Sequence, residues 1–278
     1  ALKGSKIEDK IDSLIAYFEA TERDEKIGIS IDGYEKLLTD LGTVLPKLNG
    51  RLRTEFELQD EKVLNSDFLL DYNIKPRDVL ELVEEAELKL FCEKQSVKTR
   101  GDLILNILDA YEDTANLMLE NYENVAYRNL AALKDNNLLI KEADLGLKFE
   151  ELTKAIFEHL GFHVDEKLKK SLNTAKDKID IVLNLGDEGL ILIECKTVKE
   201  SGYNKFSSVS RQMKAYAKLA QGNGHTVVKS LLVAPEFSDD CIQECGMEFD
   251  LNLSLIKASS LIAILNAFKE SKHVQFTY

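Results

Sequence analysis

The sequence predicts a mixed fold in which a central β-sheet flanked by helices follows a mainly α-helical N-terminal region. From Gly146 onward, short apolar runs alternate with amphipathic segments in the order α-β-β-β-α-β-α-β-α, which indicates a mixed sheet covered by helices. Before Gly146, apolar residues recur at three- and four-residue spacings and strand-like runs are scarce. We therefore expect an α+β or α/β protein with two domains, residues 1–145 and residues 146–278.

The composition is that of an ordered, helix-rich protein. Apolar residues make up 44% of the chain, charged residues 31%, and only three residues are proline. No apolar run approaches the roughly 20 residues that a membrane-spanning helix needs, and residues 1–6 lack the apolar centre of a signal peptide. The four cysteines form no CxxC pair, which is typical of buried free thiols in a reducing compartment. These features predict a cytoplasmic protein without a membrane partner.

The charge is distributed unequally along the chain. The net charge is -13, from 36 basic and 49 acidic residues. Residues 146–278 contain 17 basic and 18 acidic residues, which leaves 36 − 17 = 19 basic and 31 acidic residues (49 − 18) for residues 1–145. The acidity therefore belongs to the N-terminal half, and weak non-specific affinity for nucleic acid is expected.

Apolar spacing predicts several helices in the N-terminal half. Helices are expected over residues 6–22, over 34–48 with Gly50 as the stop, from Pro76 onward, and as one long run over residues 99–132. Residues 51–65 alternate less clearly, so a short strand or a loop is expected there.

Residues 78–112 combine apolar spacing with a basic turn. The apolar positions Leu82, Leu88 and Leu90 are followed by the turn at residues 97–101 and by a second apolar group. This arrangement resembles the SAP motif, a helix–turn–helix pair that in its family often binds DNA. The nine acidic residues of the segment, against four basic ones, argue against DNA contact and favour two ordinary packed helices.

The second half has a clearer succession of elements. Residues 147–160 form a predicted helix with Gly161 as its C-terminal stop, and residues 186–189 form the turn of a hairpin. The remaining predicted elements are strands 162–165, 179–185 and 190–195, helix 207–221, strand 227–234, a short helix, strand 253–256 and helix 260–269.

Three charged residues interrupt the two apolar strands of this hairpin. Asp180 lies in the first strand, Glu194 near the end of the second, and Lys196 two residues further on the same face. On adjacent antiparallel strands, the two carboxylates and the Cys195 carbonyl could hold a divalent cation with open water positions. Lys196 could then position the attacking water or steady the charge on a phosphate. This combination predicts phosphodiester hydrolysis, because charges on an apolar strand pair cost folding free energy unless they bind a metal or serve a function.

The same pattern resembles the core signature of the PD-(D/E)xK nuclease superfamily, whose members have the restriction-endonuclease-like fold. Gly146-x-x-Phe149-Glu150 resembles the family's N-terminal helix, which implies that Glu150 reaches the metal site, with Glu151 as the adjacent competitor. The Gln-x-x-x-Tyr element is matched by Gln212 and Tyr216, and the resemblance implies that Gln212 bonds the site or the substrate backbone. Ile179 stands where a proline or an apolar residue usually precedes the first acid, which is a common variation.

The stretch from Ser201 to Asn204 and the helix after it resemble the cleavage domains of type IIS (FokI-type) restriction endonucleases. This likeness implies a Mg²⁺-dependent endonuclease, with Mn²⁺ able to substitute, that cuts double-stranded DNA and dimerises as a homodimer or heterodimer. Residues 1–145 would then target DNA, link domains or dock a partner. The other interpretations are an Mrr-type or repair nuclease, and a catalytically silent nuclease-fold module that binds DNA or another partner.

Other polar residues are open to two interpretations. The basic group Lys167, Lys169 and Lys170 could contact phosphates or belong to a solvated loop. Asp177 fits a surface turn, and the four histidines show no metal-binding spacing.

Overall fold

The chain has a mixed α+β structure that divides into two compact units, residues 1–120 and residues 121–278. The computed structural model describes Ile11 and residues 27–59, 63–174, 178–199 and 202–271. The division falls before the expected boundary at Gly146, so the helices Tyr122–Ala126 and Leu130–Asp135 belong to the unit that contains the sheet.

The described part of the first unit is built from seven helices around one apolar core, in which Tyr34, Leu37 and Leu69 are almost fully buried. The helices are α1 Ile31–Leu41, α2 Val44–Glu55, α3 Ser66–Asp71, α4 Pro76–Glu81, α5 Glu85–Lys94, α6 Leu103–Ala110 and α7 Thr114–Glu120.

Several predicted helix boundaries in this unit are wrong. The break expected at Gly50 occurs at Gly42, which has a φ of 52° and closes α1 by donating its N–H to the Thr39 carbonyl. Gly50 instead lies inside α2 with open space around its Cα, so helix formation costs little beyond its backbone entropy. Residues 51–55 are helical, whereas residues 56–59 and 63–65 lie outside helices and strands, as expected for a loop. The helix predicted over residues 6–22 lies, apart from Ile11, outside the described residues.

The long helical run predicted over residues 99–132 is divided into shorter helices. Asp102 caps α6 by accepting the Leu105 N–H. Asn129 caps the helix Leu130–Asp135 by accepting the Ala132 N–H. Between them, Arg128 adopts a φ of 57° that ends the preceding helix. In the SAP-like segment, α5 and α6 form two helices whose buried residues share the core of the unit.

The second unit contains seven helices and four strands in its described part. They are α8 Tyr122–Ala126, α9 Leu130–Asp135, α10 Leu145–His159, α11 Glu166–Leu172, β1 Ile181–Asn184, β2 Leu190–Cys195, α12 Phe206–Gly222, β3 Val227–Ala234, α13 Asp239–Gly246, β4 Leu253–Lys257 and α14 Ala258–Glu270. Short 3₁₀ turns occupy Glu142–Asp144 and Gly186–Glu188.

The four strands form one mixed sheet in the order β1-β2-β3-β4. The hairpin strands β1 and β2 are antiparallel, and Ile181 lies opposite Ile193. The strands β2, β3 and β4 are parallel to one another, with Glu194 opposite Leu232. The hairpin therefore lies at one edge of the sheet, and β1 is an edge strand.

Helices cover both faces of the hairpin. On one face, Leu190 and Leu192 of β2 pack in a core with Met213 and Tyr216 of α12. The alternate residues of β2, Ile191 and Ile193, point to the opposite face, where α10 also packs on β2. The side chains that alternate along β2 are thus buried on both sides, which explains its nearly continuous apolar sequence.

The predicted strands at residues 190–195 and 227–234 coincide with β2 and β3. Gly161, the predicted stop of α10, has a φ of 89°. The strand predicted over residues 162–165 is reduced to a single bridge between Val164 and Leu183, and the basic group at residues 167–170 lies on helix α11 rather than in a loop. Within the described ranges, no helix is long and apolar enough to cross a membrane.

Candidate active site

The hairpin register brings the two strand carboxylates together. Because Ile181 lies opposite Ile193, continuing the antiparallel register by one residue places Asp180 opposite Glu194. Residues directly opposite in an antiparallel pair point to the same face. Lys196 shares that face because it follows Glu194 by two residues. The three residues that the sequence analysis grouped are therefore neighbours at one end of the hairpin.

Asp180 is fixed by the backbone of the neighbouring strand. Its Oδ2 atom accepts the N–H of Cys195 at 2.8 Å. Burial raises the pKa of the Asp180 carboxyl, against the opposing effects of the Cys195 N–H and the ammonium groups of Lys196 and Lys169. The carboxylate is thus held in one orientation in a partly desolvated place.

Glu194 is the most buried charged residue of the site, with 1% of its surface exposed. Its Oε1 atom accepts a hydrogen bond from Lys196, whereas Oε2 is buried and has no hydrogen-bond partner among the described residues. Burial, followed by the nearby Asp180 carboxylate, raises the pKa of Glu194 to about 7. An unsatisfied carboxylate oxygen in the interior is destabilising unless a ligand completes its coordination.

Lys196 extends β2 beyond its last assigned residue. Its backbone N–H donates to the Val233 carbonyl at 2.8 Å, and its side chain is 29% exposed. Burial lowers the pKa of the Lys196 ammonium, but the carboxylates of Glu194 and Asp180 more than offset this effect and raise it. The side chain is therefore a charged donor that reaches from the buried acids toward solvent.

Glu150 is the acid of α10 that interacts with this group. Burial and then the Asp180 carboxylate raise the pKa of Glu150 to about 7, while Lys169 and Lys196 act in the opposite direction. Glu151, the competing candidate, is exposed and pairs with Lys148 at 2.6 Å. The electrostatics associate Glu150 with the strand carboxylates, whereas Glu151 is paired with Lys148.

Gln212 does not contact the acids directly. Its Nε2 atom donates to the Tyr216 hydroxyl, and this hydroxyl donates to the carbonyl of Lys178, two residues before Asp180. Tyr216 is fully buried against the sheet. The Gln-x-x-x-Tyr element thus holds the chain that leads into β1, rather than a carboxylate of the site.

Two features of the site region were missed by the sequence analysis. The Asn173 side chain bonds the backbone of Ile179, next to Asp180. Beneath the hairpin, Tyr122 stacks on Phe149 with 4.9 Å between ring centroids, and its hydroxyl lies 2.7 Å from Thr153 Oγ1. Neither feature has a sequence signal, because each joins residues from separate elements.

The Cys195 side chain is buried, and its thiol is unreactive. Burial raises the pKa of its thiol well above the ordinary range, so the thiol stays protonated at neutral pH. The residue contributes its N–H to Asp180, and its carbonyl stays a predicted metal ligand.

The oxygen atoms of the site suit a hard divalent cation such as Mg²⁺, although the structure does not group three metal-binding side chains. In the part of the chain that the structure describes, no three His, Cys, Asp or Glu residues form a cluster that could hold a metal ion. Mg²⁺ usually takes one or two carboxylates and keeps several waters, so a third carboxylate is not required. The unpartnered Oε2 of Glu194, opposite Asp180, fits this donor set.

Comparisons of the chain with family models, with curated proteins and with solved structures find no match. The interpretation of the site therefore depends on the arrangement of Asp180, Glu194, Lys196 and Glu150.

Proposed function

We propose that residues 121–278 form a metal-dependent endonuclease domain of the restriction-endonuclease-like fold, which hydrolyses phosphodiester bonds in double-stranded DNA. The observation that carries this proposal is the buried, unpartnered Oε2 of Glu194, which lies opposite Asp180 and beside Lys196 at the end of the hairpin. Most buried polar atoms in proteins have a hydrogen-bond partner, so the unpartnered oxygen favours a ligand site over a purely structural ion pair.

Asp180, Glu194 and the Cys195 carbonyl are the groups that would hold the cation. Glu150 is the further predicted ligand, although no three acidic side chains of the described residues form a metal-binding cluster. A bound Mg²⁺ supplies positive charge to the phosphate and makes water a better nucleophile, and Mn²⁺ can replace it. Hydrolysis forms a bond from the water oxygen to phosphorus and breaks the bond to the leaving oxygen, while one proton passes from the water to the leaving group. Lys196 donates hydrogen bonds toward the water or the phosphate oxygens, and Gln212 with Tyr216 orients the chain that carries Asp180.

The finer assignment is the cleavage part of a type IIS-like restriction enzyme. In that assignment, the helical unit of residues 1–120 aims the nuclease, and two copies or a heterologous partner act together to cut both strands. Mapping the ends of a digested DNA of known sequence distinguishes cutting at a fixed distance from the modification- or structure-dependent cutting of Mrr-type and repair nucleases.

The central test is cleavage of supercoiled plasmid by the full chain with Mg²⁺ or Mn²⁺. We expect nicked and linear products from the wild type, and a loss of at least about a hundredfold in Asp180→Asn and Lys196→Ala, since each removes charge stabilisation of the reacting phosphate. Asp180→Asn keeps an oxygen that can accept the Cys195 N–H, so the fold should be retained. Addition of EDTA should abolish cleavage by the wild type.

The matched control is Asp187→Asn, in the exposed turn of the same hairpin. This variant should cleave at the wild-type rate. Equal cleavage by the wild type, Asp180→Asn and Lys196→Ala would contradict the proposal, as would cleavage that persists in EDTA.

The second candidate is a catalytically silent nuclease-fold module that binds DNA or a protein. It is favoured by the ammonium of Lys196 on Glu194 Oε1 and by the lack of a three-residue metal cluster in the described ranges. This candidate predicts a DNA or protein complex without cleavage under any divalent cation, and binding that is unaffected by Asp180→Asn.

A further inference from the structure

Helix α11 lies along β1 and is attached near both ends of that strand. Near the C-terminal end of β1, the Asn184 side chain donates to Asp165 Oδ2 at 2.9 Å, and Asp165 is the N-cap of α11. Asp165 also donates its backbone N–H to the Val182 carbonyl at 2.9 Å. The N-terminus of the helix is therefore bound to the strand away from the candidate site.

The other end of α11 is attached beside the candidate site. Asn173, the C-cap residue of the helix, accepts the Ile179 N–H on its Oδ1 atom at 2.8 Å. Its Nδ2 atom also lies 3.4 Å from the Ile179 carbonyl, to which it donates. The single amide of Asn173 thus holds both backbone polar groups of the residue immediately before Asp180.

This attachment is significant because β1 is an edge strand, which has a hydrogen-bonded strand on one side alone. The chain that enters it has no second strand to fix its position. Asn173 on one side and the Tyr216 hydroxyl on the Lys178 carbonyl hold two successive residues before Asp180. The direction of the Asp180 side chain follows from the backbone torsions that these contacts restrain.

We propose that α11 is a brace for the edge strand, and that Asn173 is the positioning residue at its site end, which sets the orientation of the Asp180 carboxylate for catalysis. This inference rests on the proposed nuclease function. Asn173 has no hydrogen bond to Asp180 and acts through the backbone of Ile179, so it is not a catalytic residue. An amide suits this position because it presents an acceptor and a donor together, whereas a carboxylate has no donor for the Ile179 carbonyl.

The test compares Asn173→Ala with Asn184→Ala in the full chain. Each variant removes one asparagine side chain that makes two hydrogen bonds near β1. Those of Asn184 are with Asp165 and with the Gly186 N–H. For plasmid cleavage, we expect Asn173→Ala to lower kcat by about 10- to 100-fold, since small displacements of a reacting group have effects of this size. We expect KM for DNA to change by less than about threefold, and Asn184→Ala to keep kcat within about twofold of the wild type at a temperature where both variants are folded.

Amide hydrogen exchange at Cys195 provides a second measurement that does not depend on activity. The Cys195 N–H donates to Asp180, so an Asp180 side chain that has lost its orientation should release this amide. We expect faster exchange at Cys195 in Asn173→Ala and unchanged exchange in Asn184→Ala, with interior amides of β2 protected in both.

The outcomes separate this inference from the proposed function. If the wild type cleaves DNA but Asn173→Ala has the wild-type kcat and wild-type exchange at Cys195, the positioning role is excluded and the nuclease remains. If Asn173→Ala and Asn184→Ala lose kcat equally, the brace is merely structural and the inference is overturned. If the wild type does not cleave, the nuclease proposal fails, while exchange at Cys195 still decides whether Asn173 orients Asp180.

Discussion

At the scale of single residues, the candidate site is a group of buried charges that partly compensate one another. Glu194 has one oxygen bound by Lys196 and one without a partner, and Asp180 lies opposite it. Burial raises the pKa of Glu194 and of Glu150, each to about 7. In the absence of a cation, this arrangement lowers the stability of the folded protein, as is common where a site is built for a ligand.

The raised pKa of Glu194 predicts how stability varies with pH. The folded state binds the Glu194 proton more tightly than the unfolded chain, whose pKa is near 4.5, so its contribution is favourable at low pH and is lost as pH rises toward 7. Glu194→Gln removes this pH-dependent decrease in the free energy of unfolding, because glutamine does not titrate. In EDTA, we expect the variant's gain in the free energy of unfolding to be larger at pH 8 than at pH 5, by on the order of 1–3 kcal/mol.

Urea denaturation at the two pH values measures this difference. The reference is the wild type, measured in EDTA at the same two pH values. An equal effect of Glu194→Gln at both pH values would show that Glu194 titrates as an ordinary solvated carboxyl.

The sequence carried enough information to identify the principal acids but not the contacts that orient them. Asp180, Glu194 and Lys196 could be grouped because strand alternation and a short turn relate positions that are near in the chain. Glu150 and Gln212 were reached through a family resemblance, and Gln212 then bonds Tyr216 rather than the acids. Asn173 could not be found, since its hydrogen bonds with Ile179 depend on the path of the chain between α11 and β1.

At the scale of elements, the turn between β1 and β2 determines how the two carboxylates meet. Gly189 has a φ of 117°, and a Cβ atom at this position would lie 2.6 Å from the Thr226 carbonyl oxygen. Gly186, at the start of the turn, has a φ of 66° and open space around it. Gly189 is therefore required for both its positive φ and the close approach of the Thr226 carbonyl, whereas Gly186 is required for its left-handed backbone alone.

Substitution of these glycines should separate the two effects. We expect Gly189→Ala to lower the free energy of unfolding by about 2–4 kcal/mol, because steric overlap adds to backbone strain. Gly186→Ala, the matched control, should cost about 1 kcal/mol from the left-handed backbone. Thermal or urea unfolding of both variants measures the difference, and equal losses would mean that the Thr226 carbonyl moves aside freely.

Element prediction succeeded where apolar periodicity was strong and failed where capping decided the outcome. The strands β2 and β3 were predicted at their observed bounds because they are short apolar runs between turns. Helix α11 was missed, although Asp165 followed by Glu166 and Leu168 is a helix-start pattern, and Asp165 caps it by accepting the Leu168 N–H. The run at residues 99–132 looked continuous because the breaks between its helices, at residues 111–113, 121 and 127–129, contain no Gly or Pro.

At the scale of the whole molecule, the two units differ in charge as well as in architecture. Residues 121–278 contain 20 basic and 22 acidic residues, which leaves 36 − 20 = 16 basic and 49 − 22 = 27 acidic residues for residues 1–120. The unit with the sheet is therefore nearly neutral at -2, and the helical unit carries -11. A polyanionic substrate would meet far less repulsion at the unit that contains the candidate site.

The position of the division predicts which fragment folds. A fragment of residues 121–278 keeps Tyr122, which is fully buried, stacks on Phe149 and bonds Thr153, whereas a fragment of residues 146–278 loses these contacts. Loss of a buried aromatic residue costs about 3–5 kcal/mol. We expect the longer fragment to unfold cooperatively and the shorter one to be much less stable, as measured by circular dichroism on heating.

The full-length chain is the reference for this comparison. If the fragment that begins at Gly146 unfolds at the same temperature as the one that begins at Asn121, helix α8 is dispensable. The domain boundary predicted from the sequence would then be a valid folding boundary.

The position of β1 at the edge of the sheet has a consequence for self-association. An exposed edge strand offers unpaired backbone groups to other chains and is a common origin of aggregation. Here the chain before α11 covers this edge, since the Asn184 N–H donates to the His163 carbonyl at 2.9 Å and the Asp165 N–H donates to Val182. The strand adjoining the candidate site is thereby shielded from intermolecular β-pairing. Any change that detaches α11 would expose unpaired backbone groups next to the site and favour aggregation.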